Sequence, residues 1–390
     1  MSPRDVVLLS TADWDNPFWT NKQHVAVELA CRGFRILYVE SLGLRRPTLG
    51  ARDLRRILRR LSRALRPPRR VRDNIWVWSP LVLPAHGRQW ARRLNRGILG
   101  GSLALWMRVL GFRRDLLWTY SPLTTEVVSP SRFRTVVYHC VDDVKAAPGM
   151  PAEILDQAER ELVRRADVVF ATARLLAESR RHINPNTYYF SNVADYEHFA
   201  KARLAETNVP EDLARIPEPR LGFVGAISGY KVDFALVRLL ARAHPEWSIV
   251  LIGEVGEGDP WTDASELRQI PNVYLMGPRP YSLLPAYLSG FRVGLLPNRL
   301  NDYTASMFPM KFFEYLAAGL PVVSVDLPAL REHADVASLA ASPQDFIENV
   351  ARALRNGGPS MESRLDRARQ NTYASRTDAM LEILNRVTGE

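Results

Sequence analysis

Apolar positions along the first half of this chain fall in short runs, at 6–9, 36–39, 75–78, 116–119, 136–139, 168–171 and 188–190. Helical spacing of apolar residues separates them, at 21–32, 88–109, 152–165 and 173–181. Runs this short, apolar throughout rather than alternating, predict strands buried on both faces. Strands that alternate with helices predict a parallel sheet covered by helices. A polar, proline-bearing stretch at 201–219 reads as a linker, after which the pattern restarts at 221–224, 249–252, 273–276, 293–296 and 322–325. Residues 361–387 are helical and charged, with no strand after them. The expectation is an α/β chain with an N-terminal domain over 1–200, a linker over 201–219 and a second domain over 220–360. A helical segment over 361–390 is expected to pack back on the N-terminal domain. At 390 residues two domains are the natural division.

Charge changes this picture. Fifty-two basic against 42 acidic residues give a net charge of +10, which points to a polyanionic partner. The excess concentrates in two places. Between 44 and 72, Leu54, Ile57, Leu58, Leu61 and Leu65 hold helical spacing among near-continuous arginines, opposed only by Asp53 and, just beyond, Asp73. This predicts a basic amphipathic helix that lies on an anionic membrane surface; the plainer alternative is a core-packed helix with solvated arginines. Arg88, Arg92, Arg93 and Arg96 form a second cluster ahead of the apolar GILGGSLALWMRVLGF, so that 44–72 and 88–114 together suggest a surface for lipid headgroups. Nucleic acid is disfavoured, because no binding motif accompanies the charge and the charge is confined to these segments. Cys31 and Cys140 lack any C-x-x-C or zinc spacing and read as free thiols of a reducing compartment. No leader pattern opens the sequence, and the apolar stretch from Ile98 to Leu110 is too short to span a bilayer and carries Arg108. The expected location is cytoplasmic, peripheral at the inner face of the cell membrane.

The chemistry concentrates in FPMKFFEYLAAGLPVVSVD, residues 308–326. Pro309 suits a first helical turn and Gly319 the position just past a helix end, and 321–325 reads as a buried strand. Lys311 and Glu314 stand at i,i+3 in this otherwise apolar helix, where an ordinary ion pair is the commonest meaning. A nucleoside diphosphate, however, needs cations on its diphosphate and a carboxylate on its ribose, and the pair supplies one of each. Lys231 adds a second cation, following a turn that carries Gly225 and Gly229 after the strand at 221–224.

Four stretches together resemble the GT-B glycosyltransferases, in particular the large retaining family GT4 and its surface-polysaccharide or teichuronic-acid-biosynthesis-like members. FPMKFFEYLAAGLPVVS is similar to the signature helix and strand of that family's C-terminal domain. RLGFVGAISGYKVDFALVRLLA resembles its first nucleotide-sugar-binding strand and loop, and SNVADYEHF its Asn-Gly-Val-Asp-x-x-x-Phe crossing segment. WTNKQHVAVELACRGFRILYVES matches the spacing of its Gly-Gly loop, first helix and second strand. The resemblance implies a GT-B fold, two Rossmann-like α/β/α domains facing each other across a cleft.

It also implies site residues. Gly225, Lys231, Ser306, Lys311 and Glu314 would bind the nucleotide sugar. His139, in YHCVDD at the end of a strand, would contact the donor sugar; Asp142 or Asp143 would orient the acceptor hydroxyl or brace a basic group. A loop with Trp14, Phe18, Trp19, Thr20 and Asn21 would face the acceptor. Three positions depart from the family pattern: Ser306 stands where the first of two glutamates is usual, Ala226 where an arginine often follows the glycine, and Thr20-Asn21 where the loop has Gly-Gly. The Asp-x-Asp at Asp13 and Asp15 resembles a metal-binding motif, but it stands without further clustered ligands, so no metal is expected. His24 reads as a packed or surface histidine.

The resemblance implies transfer of a glycosyl group with retention, from a nucleoside diphosphate sugar as donor substrate and with no tightly bound cofactor. The acceptor would be a saccharide or lipid-linked molecule of cell-envelope or exopolysaccharide synthesis. Domain closure would exclude water, and the departing phosphate oxygen would take the acceptor proton. The alternatives are a nucleotide-sugar 2-epimerase, for which no second carboxylate cluster is seen, and a non-catalytic binding protein, which the three departures favour.

Overall fold

The computed structural model describes the chain except residues 1–3, 17, 42–65, 82–88, 258, 260 and 390. It forms two units, residues 1–190 with 377–390, and residues 191–376. The first is built on eight strands: β1 (Asp5–Leu9), β2 (Arg35–Val39), β3 (Arg69–Arg72), β4 (Ile75–Trp78), β5 (Leu116–Thr119), β6 (Thr135–Cys140), β7 (Val168–Ala171) and β8 (Thr187–Tyr189). Their order is β3-β4-β2-β1-β5-β6-β7-β8, parallel except for β3. Strand alternation divides the core between two faces. Val7 and Leu9 pack with Leu37, Leu103 and Met107, while Val6 and Leu8 pack with Val25, Leu29 and Ile36. Met380 and Leu384, one turn apart on the helix Tyr373–Thr388, are buried in the second of these clusters.

The second unit carries β9 (Arg220–Val224), β10 (Ser248–Ile252), β11 (Val273–Gly277), β12 (Val293–Leu296), β13 (Val322–Val325) and β14 (Ser338–Ala340). The order is β11-β10-β9-β12-β13-β14, parallel throughout. In both sheets the order reverses beside the first strand, between β1 and β5 and between β9 and β12. Loops leaving the carboxyl ends of those strands diverge, which opens a crevice in each sheet where ligands of such folds bind.

Two expectations are corrected. The basic segment read as one helix over 44–72 does not remain helical to its end: Arg69–Arg72 is an antiparallel edge strand on β4, entered after Pro67-Pro68 and turned at Asn74, whose φ is 61°. Arginine along an edge strand blocks further strand addition. The rest of that helix, 44–65, lies outside the described residues. Residues 201–219, read as a linker, fall within the second unit, where Leu213 and Ile216 at i,i+3 enter the apolar core. β14 escaped the sequence pattern because three residues show no periodicity.

One side chain fixes the second unit's crevice. Tyr315, fully buried on the helix Lys311–Ala317, lays its ring over Gly294 of β12, where a built Cβ would come within 2.6 Å of the ring. Its hydroxyl accepts from the backbone N–H of Val224, the last residue of β9, at 2.8 Å. Tyr315→Phe leaves that buried N–H unpaired and is expected to lower stability by about 1–3 kcal/mol. A lower urea midpoint at unchanged slope is the expected result; an unchanged midpoint would show that the tether contributes nothing.

Candidate active site

In the second unit the site grows from the two loops that flank the reversal. β9 ends at Val224, and Gly225 donates to Ile252 O at 2.9 Å. The next strand end comes so close that a Cβ on Gly253 would lie 1.8 Å from Gly225 O, so glycine is required there. The loop then folds on itself: Lys231 N donates to Ser228 O at 2.9 Å, and Gly229 N donates to Thr262 Oγ1 at 2.9 Å. Lys231 is half-buried, with its ammonium 5.4 Å from the ring centroids of both Tyr230 and Tyr303. Asn301, capping the turn Asp302–Ala305, donates to Tyr230 O at 2.7 Å and so joins this loop to the one that follows β12. Ser306 closes that turn, half-buried, its N–H on Tyr303 O at 3.2 Å.

Lys311 opens the helix Lys311–Ala317, two residues after Pro309, which therefore precedes the first turn it was expected to occupy. Gly319 ends it with φ at 81°, as expected of the position past a helix end. Lys311 Nζ and Glu314 Oε2 are 2.5 Å apart, and the ammonium lies 5.8 Å from the Phe199 ring centroid. Glu314 is only 3% exposed. Burial raises its pKa above the ordinary carboxylate value, against the opposing pull of Lys311, and the charge of Asp195 adds to the rise. A buried carboxylate beside a part-exposed lysine is an expensive arrangement for stability alone.

The segment SNVADYEHF braces this helix from outside the sheet. Asn192 Nδ2 donates to Phe308 O at 2.6 Å, and Asp195 caps the helix Tyr196–Ala200 by accepting from His198 N at 3.2 Å. His198 stacks on Tyr281 at 4.4 Å and is held below the ordinary histidine value by burial. Sequence reading did not assign roles to Asp195, His198 or Tyr281; the Asp-x-x-His spacing of a helix cap was the available signal.

In the first unit the residues proposed from the sequence gather at the carboxyl ends of β1, β5 and β6. Thr20 precedes the helix Asn21–Cys31, its N–H donating to Gln23 Oε1 at 3.1 Å, while Gln23 Nε2 donates to Asp13 O at 3.0 Å. Thr20-Asn21 therefore starts a helix with side-chain caps in place of a glycine loop. Trp14, expected to offer a face to an acceptor, is buried. It packs edge-on to Tyr38 at 5.1 Å, and its backbone N–H donates to the buried carboxylate of Glu40 at 2.8 Å. Trp19 is half-buried, 5.4 Å from Trp14, with the Arg72 guanidinium 5.1 Å from its centroid. Asp15 pairs with Arg69 at 2.6 Å. Among the described residues no group of three or more His, Cys, Asp or Glu side chains converges as metal ligands would.

His139 is fully buried and stacked on Tyr120 at 4.9 Å, with Trp118 and Phe170 at its edges. Tyr120 in turn donates to Asn21 O at 3.4 Å, and Lys22 lies 5.7 Å from its ring, so one aromatic ring links His139 to the start of the first helix. Asp143 lies 3.6 Å from the Arg180 guanidinium, and burial raises its pKa. Behind it, Arg180 grips both oxygens of Glu159 at 2.9 Å, and Glu159 also accepts from Tyr138 at 2.7 Å. Asp143 thus lies beside a basic group that is itself anchored by Glu159. Neither Glu159 nor Arg180 announced itself in the sequence, since each lies on an ordinary amphipathic helix.

Residues 218–356 match the family model described as glycosyl transferases group 1. The whole chain is similar in structure to sucrose-phosphate synthase from Thermosynechococcus elongatus, with a TM-score of 0.70 at 16% identity over 99% of both chains. It is similar to Anabaena Alr3699/HepE in complex with UDP, with a TM-score of 0.66 at 14% identity over 98% of this chain and 99% of that one. A third likeness is to trehalose-6-phosphate synthase from Burkholderia multivorans, with a TM-score of 0.64 at 14% identity over 100% and 99%. The fold is GT-B, and residues 218–356 are a group 1 glycosyltransferase domain. With that domain the chain is a glycosyltransferase. No curated protein matches it in sequence. In this glycosyltransferase the matched domain contains the Gly225–Lys231 loop, Ser306 and the Lys311–Glu314 pair. Among the described residues no helix is long and apolar enough to cross a membrane.

The raised pKa of Glu314 has a signed consequence. The folded chain keeps the Glu314 proton to higher pH than the unfolded chain, so this group favours folding at low pH and loses that contribution as pH rises from about 4.5 through its folded value. Glu314→Gln is therefore expected to gain stability relative to wild type over that rise, at a slope of up to about 1.4 kcal/mol per pH unit. Melting both proteins from pH 4 to 8 checks it; a trend in the opposite direction would mean that Lys311 outweighs burial.

Proposed function

We propose that this glycosyltransferase moves a sugar, with retention and without a metal, from a nucleoside diphosphate sugar to a saccharide or lipid-linked acceptor. The observation that carries the reading is the Lys311–Glu314 pair, a buried carboxylate with an adjacent cation at the reversal point of the second sheet. Glu314 accepts from the ribose hydroxyls, while Lys311 and Lys231 stabilise the diphosphate as it departs. The acceptor oxygen attacks on the face from which the diphosphate leaves and the departing phosphate oxygen takes its proton, so neither a protein nucleophile nor a protein base is needed. His139, Asp142 and Asp143 belong to the acceptor-side unit. His139, enclosed by Tyr120, Trp118 and Phe170, shapes that side, and Asp143 acts through Arg180. Trp19, Thr20 and Asn21 shape the acceptor side, and Ser306 sets the donor sugar contacts in place of a glutamate.

Two of the structural relatives, Anabaena Alr3699/HepE with UDP and the Escherichia coli trehalose-6-phosphate protein with UDP-2-fluoro glucose, carry uridine nucleotides. UDP is accordingly the first donor nucleotide to test. The basic segments 44–72 and 88–114 favour an acceptor of cell-envelope or exopolysaccharide synthesis, met at the inner face of the membrane.

A thermal-shift panel of UDP, GDP, ADP, CDP and dTDP, with and without magnesium, tests the donor site. One diphosphate is expected to stabilise the wild type without magnesium and to lose most of that effect in Glu314→Ala, an affinity loss of about tenfold or more. No shift from any of the five would overturn the reading.

A further inference from the structure

The helix Gln89–Leu110 has two apolar faces, and the fold uses only one. Leu99, Leu103 and Met107, at i, i+4 and i+8, are buried against the sheet of the first unit. On the opposite side Leu94, Leu105 and Val109 are 47%, 55% and 62% exposed, with Ile98 half-buried in line with them. At about 100° per residue these four positions fall within a stripe roughly 60° wide, with Leu94 directly opposite Leu103, and extend about 22 Å along the helix. Of the ten large apolar side chains exposed among the described residues, three lie on this stripe, so the exposure is clustered. The flank of the stripe is open as well: a Cβ built on Gly97 or Gly101 meets nothing within 4 Å.

Charge decides what fits there. The helix contains no acidic residue; Arg108 is exposed beside the stripe, and Arg93 is exposed at its N-terminal end, next to Leu94 in sequence. Among the described residues neither has a carboxylate partner. Arg96, by contrast, is turned inward, donating to Thr125 O and Glu126 O. An apolar strip edged by unneutralised guanidinium groups repels a second copy of itself. It equally repels the arginine-rich segment 44–65 of its own chain. An anionic lipid surface satisfies both components, with headgroup phosphates for the arginines and acyl chains for the leucines.

We propose that the outer face of this helix is a membrane-docking surface, with Leu94, Ile98, Leu105 and Val109 entering the acyl boundary and Arg93 and Arg108 on the phosphates. It deepens the proposed function, resting on the reading that the acceptor is met at a membrane, and it assigns the contact to a folded helix as well as to the basic segment. Reactive groups of the sheet's carboxyl ends are then presented by a unit that holds itself on the lipid.

The test uses the full chain in vesicle flotation, with phosphatidylcholine alone and with phosphatidylglycerol added, for the wild type and for Leu94→Glu/Leu105→Glu/Val109→Glu. All three positions are exposed, so the fold tolerates the changes. The wild type is expected to float with the anionic vesicles and not with the neutral ones, and the triple variant to partition about tenfold less or weaker. The variant's thermal shift with the preferred nucleoside diphosphate is expected to stay as in wild type, which separates this result from any failure of the donor site. Three results would overturn the proposal: no wild-type flotation with anionic vesicles, flotation of the variant equal to wild type, or a wild-type dimer that the variant dissolves without any lipid binding.

Discussion

The second unit's crevice depends on the contact between Tyr315, Gly294 and Val224. β9 and β12 are the strands between which the sheet order reverses, and one aromatic side chain touches both. Its ring occupies the space that the missing side chain of Gly294 leaves over β12, and its hydroxyl satisfies the last N–H of β9. The helix Lys311–Ala317 is thereby fixed at the mouth of the glycine turn that carries Lys231. Phe312, Phe313 and Leu316, all fully buried, hold the other sides of that helix in the core. Glu314 and Lys311 inherit their positions from this packing.

The consequence is electrostatic. A carboxylate at the Glu314 position loses hydration on folding and, among the described residues, regains one strong partner, Lys311. Leucine there would pack at no such penalty. A site that is to hold ribose hydroxyls and a diphosphate has a use for the pair, because ligand hydroxyls complete the carboxylate's hydrogen bonding and ligand phosphates take up the lysine's charge. The same logic separates the two units. In the first, two buried carboxylates near the sheet's carboxyl ends, Glu40 and Glu159, already have partners on both sides, Trp14 N and Ser79 Oγ in one case and Arg180 and Tyr138 in the other. They shape loops, whereas Glu314 retains acceptor capacity.

Much of this was legible in the sequence, for physical reasons. Strands buried on both faces write themselves as continuous apolar runs, so β5, β7 and β13 stand out at their observed bounds. The Lys311–Glu314 pair stood out because charges are conspicuous in an apolar helix, and Gly319 because a helix end favours a left-handed glycine. What stayed hidden lacks local periodicity. The arginines of β3 read as a continuation of a basic helix, since nothing in Arg69–Arg72 alone reveals its pairing with β4. The burial of Trp14 and the enclosure of His139 depend on Tyr38, Tyr120, Trp118 and Phe170, which meet only once the strands are side by side. Leu105 and Val109 gave no sign that they face away from the core, because the helix is apolar on both faces.

In the proposed donor site Glu314 reads the ribose of a nucleoside diphosphate. Calorimetric titration of the preferred diphosphate and of its 2′,3′-dideoxy analogue, on wild type and on Glu314→Gln, addresses it most directly. Wild type is expected to prefer the ribose form by about tenfold or more, and the variant to bind both forms weakly and alike. Equal preference for ribose in the two proteins would contradict it.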